Sequence, residues 1–161
     1  MYLQINRFGD MSEQDQKDIV NLIKIGNEAN SELIHLRMDN SLFTAYLRKE
    51  NEIIGTATIK RPELSYRTYV FEKAGLIWHP ENIPLELGYV FLSPKYRNQG
   101  LAFELCHSLI KLIPMQPIFA TTREDNDRMK LILRKLHFKR EGQAYENRSR
   151  TKLLEFYSIY F

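Results

Sequence analysis

The residues best suited to chemistry lie in one short stretch of the chain, from Glu86 to Ala102. Glu86 offers a carboxylate, and Lys95 and Arg97 offer positive charge just before Gly100 and an apolar helical pattern. The start of a helix leaves backbone N–H groups without helical partners and carries a partial positive charge. A glycine there lets a ligand approach the backbone closely. The stretch therefore predicts a binding site for a phosphate or pyrophosphate group.

A strand and a helix must position this stretch. Apolar residues alternate over 85–92, which is the period of a strand, and Ser93 and Pro94 end it because proline cannot donate to a ladder. From Asn98 the spacing becomes helical, and Leu101 and Leu105 fall on one face of a helix predicted over 98–112. Gly100 is then expected in the first turn of that helix.

The spacing Arg97-x-x-Gly100-x-Ala102 resembles the acetyl-CoA pyrophosphate loop of the GCN5-related N-acetyltransferases, the GNAT superfamily, whose pattern is Arg/Gln-x-x-Gly-x-Gly/Ala. The lead-in Glu86-Leu-Gly-Tyr is similar to the branch that includes the ribosomal-protein N-acetyltransferases. The resemblance covers most of the chain, and its specific part runs from 84 to 142. It implies an acyltransferase that moves an acetyl group from acetyl-CoA to a primary amine by direct attack in a ternary complex.

The resemblance also implies which residues contact acetyl-CoA. The strand would contribute backbone groups near Phe91, Leu92 and Ser93. The remaining contacts implied in the loop and the helix start are Arg97, Asn98, Gln99, Gly100, Leu101 and Ala102.

A second motif over 121–142 resembles the other signature of the family, in which an Asn precedes a helix. Asn126 would lie near the pantetheine arm, whose amides need donors and acceptors, or it would cap the helix; both roles can hold together. Two residues depart from the family pattern. Leu133 stands where the family often has a Tyr that protonates the CoA thiolate, and His137 stands where it usually has a Gly. No general acid can be carried over from this motif.

Glu86 is the candidate general base, because the attacking amine must lose a proton. It would accept that proton directly or through a water. The alternative is a rim carboxylate that attracts a cationic amine, and Glu81 is a weaker rival for the base.

The composition fits one globular domain over 1–161. The chain has 161 residues, of which 43% are hydrophobic and 12% aromatic, enough for a packed core rather than a disordered chain. The net charge of +3 comes from interspersed acids and bases, so a nucleic-acid partner is not expected.

The remaining features favour a cytoplasmic protein without a membrane partner or a metal. Cys106 is the one cysteine, which excludes an internal disulfide framework and fits a reducing compartment. Residues 1–25 hold no apolar run long enough for a signal peptide or a membrane span. The four histidines show no metal-ligand spacing.

The order of predicted elements is that of an α+β domain with a mixed sheet. Strands are predicted over 2–5, 42–48, 52–60, 85–92, 117–122, 138–145 and 152–160, and helices after Ser12, around 32–37, and over 62–73, 98–112 and 126–136. The resemblance implies the family's fold, a mostly antiparallel sheet of about six or seven strands with about four helices, splayed at the cofactor site. The segment 61–85 is longer than the usual connection and is predicted to shape a substrate site.

Two alternatives to the enzyme remain open at this point. A non-catalytic acyl-CoA binder or sensor of the same fold is one, since the motif Tyr is replaced by Leu133. A nucleotide- or RNA-binding domain is disfavoured, because a dinucleotide site would need further glycines around Gly100. The acceptor, a small amine or a peptide N-terminus, and the oligomeric state, a homodimer included, are not decided by the sequence.

Overall fold

The computed structural model describes residues 1–26 and 31–160, with residue 31 by its backbone alone. In those residues the chain forms seven strands: β1 (Tyr2–Asn6), β2 (Phe43–Lys49), β3 (Glu52–Lys60), β4 (Leu85–Leu92), β5 (Ile118–Arg123), β6 (Lys139–Glu146) and β7 (Leu153–Ile159). The same residues form five α-helices: α1 (Glu13–Gly26), α2 (Ser31–Asp39), α3 (Leu64–Ala74), α4 (Leu101–Lys111) and α5 (Asp127–Lys135). None of the helices in the described part of the chain has the length and apolar character needed to cross a membrane.

The strands form one sheet in the order β1-β2-β3-β4-β5-β7-β6. The pairs β1–β2, β2–β3, β5–β7 and β7–β6 are antiparallel, whereas β4 and β5 are parallel. The predicted α+β class and the mixed, mostly antiparallel sheet are thus confirmed. The described residues contain five helices rather than about four, because the stretch predicted around 32–37 extends to a full helix, α2.

One predicted boundary is wrong. The helix expected from Asn98 begins at Leu101 instead. Asn98 and Gly100 have φ values of 63° and 78°, and a left-handed residue cannot continue a right-handed helix. Gly100 therefore stands immediately before α4 rather than in its first turn.

The chain divides into two compact units, residues 1–61 with 87–114, and residues 62–86 with 115–161. The strand β4 contributes to both, since Leu85 and Glu86 belong to the second unit and the rest of the strand to the first. That the whole of 1–161 acts as one domain stays a prediction.

The core of the first unit forms between α1, α2 and the strands that they cover. Ile19 and Ile23 of α1 are fully buried and cluster with Phe8, Ile34 and Met38. Ser12 caps α1, because the Asp15 N–H donates to Ser12 Oγ at 3.1 Å. This packing holds the half-buried Tyr89 and Phe91 of β4 against the cluster.

The core of the second unit is an aromatic cluster beneath α3. Phe71 meets Phe119 and Phe156 edge-on, with ring centroids 5.6 and 5.1 Å apart. Such pairs each contribute about 0.5–1.5 kcal/mol beyond the area that they bury. Gly75 ends α3 in the left-handed conformation at φ 67°, which favours glycine.

Candidate active site

The loop between β4 and α4, residues 93–100, ends in open space at the start of a helix. Gly100 precedes α4 with φ 78°, a conformation that favours glycine. A Cβ added to Gly100 would meet no described atom within 4 Å, chain neighbours aside. Asn98, Gln99 and Gly100 are all exposed. A ligand can therefore reach the backbone here without displacing a side chain.

The first turn of α4 supplies hydrogen-bond donors to this space. Glu104 donates its N–H to the Gly100 carbonyl at 3.1 Å, and the helical ladder begins there. The N–H groups of Leu101, Ala102 and Phe103 precede the ladder, so the helix offers them no carbonyl. Together with the partial positive charge of a helix N-terminus, they suit a phosphate or pyrophosphate group.

Arg97 is anchored to the strand that leads into the loop. Its Nε donates to the Leu92 carbonyl at 3.0 Å, and its guanidinium lies 5.6 Å from the centre of the Phe91 ring. These two contacts fix an exposed cation beside the start of α4. Lys95 is exposed and forms an ion pair with Glu52 at 3.4 Å, so Arg97 is the better-placed cation of the loop.

The end of β4 offers its backbone rather than its side chains. The Phe91 ring fills the space beside Gly26, where a Cβ would come within 2.6 Å of it, and Leu92 is buried beside Gly55. Ser93 donates its N–H to the Ile54 carbonyl at 2.8 Å, which ties the strand end to β3. The predicted contacts from these residues to acetyl-CoA are therefore contacts of backbone groups, and they stay predictions.

The backbone of β4 is distorted between its two ends. Tyr89 has φ 50°, which is rare for a residue with a large side chain and costs about 1–3 kcal/mol. The parallel ladder between β4 and β5 comprises two pairs, Leu85 with Ile118 and Glu86 with Phe119. A short ladder followed by a distorted strand fits the splay that the family resemblance implies.

Asn126 caps α5. Its Oδ1 accepts the Met129 N–H at 3.2 Å, so the capping role left open by the sequence is established. A further contact of Asn126 with pantetheine stays a prediction. Leu133 is fully buried, and the position where the family often has a Tyr is here a packing position.

Glu86 is buried beneath α3, with 2% of its surface exposed. It pairs with Phe119 of β5, and a hydroxyl from α3 lies beside it: Tyr66 Oη donates to Glu86 Oε1 at 3.4 Å. The alternative of a rim carboxylate is not supported, because Glu86 is buried and pairs with β5 beneath α3. The geometry is that of a carboxylate held in an enclosed polar site.

Two phenols, Tyr66 and Tyr145, interact with Glu86, and no pattern in the sequence indicates that Tyr145 lies there. Burial raises the pKa of Tyr66 well above its usual value, and the charges of Glu86 and Tyr145 raise it further. Burial, followed by the charge of Glu86, also raises the pKa of Tyr145. Both phenols are thus neutral and able to donate a hydrogen bond at neutral pH. The Tyr145 hydroxyl has no hydrogen-bond partner among the described residues.

The register of the sheet explains why these groups face the same way. Glu86 pairs with Phe119, which shares its face with Thr121 two residues later. Thr121 pairs with Phe156 of β7. Leu154, two residues before Phe156 and on the same face of β7, pairs with Tyr145 of β6. Sequence alternation could have indicated the face of each strand, but not this order of strands.

Other candidates do not form a second site. His79 is exposed, and its Nδ1 accepts the Glu81 N–H at 3.3 Å, so it caps a short turn. Burial raises the pKa of the Cys106 thiol to about 12, which disfavours a nucleophilic role. In the described part of the chain, no three His, Cys, Asp or Glu side chains lie together as metal ligands would.

A cavity of 510 Å³ lies between α5 and the β6–β7 pair, and ion pairs to Glu155 cross it. Glu155, 6% exposed, accepts the Tyr157 hydroxyl at 2.8 Å. Arg140 Nε and Lys130 Nζ lie 3.4 and 4.0 Å from the same carboxylate. This network links α5 to the sheet through the buried Glu155 carboxylate.

Comparison with known proteins identifies the family. The family model of the acetyltransferase (GNAT) domain matches residues 7–139. A search of the curated proteins found no match.

Solved structures share the fold. An acetyltransferase of the GNAT family from Bacillus cereus ATCC 10987 is 20% identical, covers 99% of this chain and 98% of its own, and has a TM-score of 0.64. The Escherichia coli ribosomal-protein-S18-alanine N-acetyltransferase is 11% identical, with coverages of 99% and 94% and a TM-score of 0.69. The Salmonella typhimurium acetyltransferase yncA, solved with its cofactor acetyl-CoA, is 12% identical, with coverages of 99% and 94% and a TM-score of 0.70.

The family model spans well over half of the chain, and it includes β4, the β4–α4 loop and α5. The chain therefore belongs to the GNAT family of acetyltransferases, which use acetyl-CoA as the acetyl donor.

Proposed function

We propose that this protein is an acetyl-CoA-dependent N-acetyltransferase that acts on a primary amine. The observation that carries the proposal is the start of α4, where open space beside Gly100 meets the donors of the first helical turn. The N–H groups of Leu101 and Ala102 bind the pyrophosphate, and Arg97 adds a fixed positive charge. Asn98 and Gln99 line the same loop.

The thioester of acetyl-CoA supplies an activated acetyl group that an amine can attack directly. The backbone of β4 near Phe91, Leu92 and Ser93 binds the pantetheine, and an N–H group between Val90 and Leu92 polarises the acetyl carbonyl. Asn126 contributes its amide to the same arm while it caps α5. These assignments rest on the family resemblance and, for Leu92, on the burial of its side chain.

Glu86 accepts the proton that the amine loses as the new N–C bond forms and the C–S bond breaks. Its position beneath α3, away from the protein surface, favours this role over simple attraction of a cation. The departing thiolate takes its proton from water, because Leu133 offers none and a thiolate is a moderate leaving group with a thiol pKa of about 8.5.

Binding is tested first, by the thermal shift of the protein with acetyl-CoA, adenosine or NAD. At about 100 times its dissociation constant, a ligand adds about 2.7 kcal/mol to the free energy of unfolding. A rise with acetyl-CoA alone supports the proposed donor. A rise with NAD of the same size would contradict it.

Turnover is tested next, by CoA release with a panel of small amines and peptides with free N-termini. Glu86→Gln is expected to lose at least about a hundredfold in kcat, the lower range for a lost general base. Glu81→Gln tests the rival carboxylate and is expected to leave kcat unchanged, because Glu81 is exposed. Equal activity in wild type and Glu86→Gln would exclude Glu86 as the base.

A second candidate function is a non-catalytic acyl-CoA binder. The buried Leu133 favours it, since the family's proton donor is absent at that position. Acetyl-CoA binding without CoA release on any amine of the panel would establish this function instead.

A further inference from the structure

We propose that Tyr66 is a positioning residue for Glu86, and that α3 serves to deliver its hydroxyl to the carboxylate. The inference rests on the proposed function, in which Glu86 is the general base. It assigns a role to the segment 61–85, which is longer than the usual connection in this family. The contact that carries it is the hydrogen bond from Tyr66 Oη to Glu86 Oε1 at 3.4 Å.

The start of α3 is held firmly on both sides of Tyr66. Arg67, the next residue, donates from Nε to the Pro62 carbonyl at 3.2 Å and from Nη1 to the Pro80 carbonyl at 2.5 Å. The Arg67 side chain thus links the first turn of α3 to Pro62, which precedes the helix, and to Pro80, which follows it. Because both partners are backbone groups, the position of Tyr66 does not depend on another mobile side chain.

The rest of α3 is fixed by its apolar face. Val70, Phe71 and Ala74 are at most 2% exposed, and Phe71 packs edge-on against Phe119 and Phe156 of the sheet. Phe119 is the partner of Glu86 in the β4–β5 ladder. The aromatic contacts that hold α3 against the sheet therefore also fix the distance between Tyr66 and the Glu86 carboxylate.

A hydroxyl that donates to a carboxylate favours its ionised form and selects one rotamer. The Tyr66 hydroxyl also hydrogen-bonds with Thr121 of β5 and is affected by the charge of Tyr145 of β6, whereas Tyr69 of α3 acts on Tyr145. The phenols stay neutral at working pH, so they act as donors and not as competing bases. Among the residues that the structure describes, the Tyr145 hydroxyl has no hydrogen-bond partner, so it adds a second polar group to this enclosure.

The experiment compares Tyr66→Phe with Tyr69→Phe. The control also removes a phenol oxygen from α3. The centre of the Tyr69 ring lies 4.8 Å from the Arg148 guanidinium and 5.9 Å from Lys73 Nζ. The limb of the pH profile of kcat/KM that rises with pH reports ionisation of the base. Loss of the donor destabilises the ionised form, so in Tyr66→Phe this limb is expected to move to higher pH by about half a pH unit to one. Because the hydrogen bond from Tyr66 to Glu86 is long, we expect a shift near the smaller of these two values. Tyr69→Phe leaves the limb in place.

A second readout needs no acetyl-CoA. The infrared band of a protonated carboxyl group, taken as the difference between each protein and its Glu86→Gln partner, follows the titration of Glu86 directly. Tyr66→Phe is expected to keep the protonated band to higher pH than wild type or Tyr69→Phe. An unchanged titration in Tyr66→Phe would overturn the inference, whatever the activity.

The two readouts separate the inference from the proposed function. If the infrared titration moves but Glu86→Gln turns over like wild type, Tyr66 orients Glu86 and the base has been assigned wrongly. If Glu86→Gln is inactive and neither readout moves in Tyr66→Phe, the base stands and the positioning role is refuted.

Discussion

Replacement of Gly100 with alanine distinguishes a ligand-binding role of this glycine from a structural one. Gly100 has φ 78°, where a Cβ costs about 1–2 kcal/mol, partly offset by about 0.4–1 kcal/mol from the loss of unfolded-state freedom. No clash adds to this, because the space around the new Cβ is open among the described residues. We expect the free energy of unfolding to fall by about 1 kcal/mol and Tm by about 2–4 °C.

Acetyl-CoA affinity is expected to fall much further than stability. The added methyl group lies where the proposed pyrophosphate must approach the first N–H groups of α4. A tenfold rise in Kd corresponds to about 1.4 kcal/mol, and we expect at least that. Isothermal titration calorimetry measures Kd, and urea denaturation measures stability on the same preparations.

Gly9→Ala is the matched control. A Cβ at Gly9 also meets open space among the described residues, but Gly9 does not have a positive φ. The control is expected to leave Kd unchanged and stability unchanged or slightly raised. An unchanged Kd in Gly100→Ala would refute the proposed pyrophosphate site, and a stability loss above about 3 kcal/mol would show that the site is strained for another reason.

Three further predictions concern the second unit and α4. Gly142→Ala should destabilise by more than about 3 kcal/mol in urea denaturation, because a Cβ at φ 67° would lie 2.1 Å from the Ala74 carbonyl oxygen; a smaller loss would contradict the close approach. Asn126→Ala should cost about 1 kcal/mol of stability, as its cap to the Met129 N–H is lost, and a larger effect on acetyl-CoA Kd than on stability would support its pantetheine contact. The Cys106 thiol, with its pKa raised to about 12 by burial, should not react with a thiol reagent at pH 8 in the folded protein but should react fully in denaturant; rapid labelling of the native state would contradict the burial.

The strands, the helices and the existence of the loop before α4 could be predicted from the sequence, because they depend on local chemistry. Strand alternation, Ser12 before α1 and Gly75 after α3 act within a few residues of the positions that they define. The pattern Arg97-x-x-Gly100-x-Ala102 likewise predicts a loop and a helix start, although it misplaces the boundary by three residues. That error arose because the left-handed conformation of Asn98 gives no signal in the apolar spacing.

The surroundings of Glu86 were decided by the tertiary structure alone. Tyr66 and Tyr145 lie 20 and 59 positions from Glu86 in the sequence, and neither spacing has a period that would bring them together. The order β4-β5-β7-β6 and the seating of α3 on Phe119 place all three on one face. Strand order depends on which apolar faces bury each other across the whole unit, and that is a property of long-range packing rather than of any local pattern.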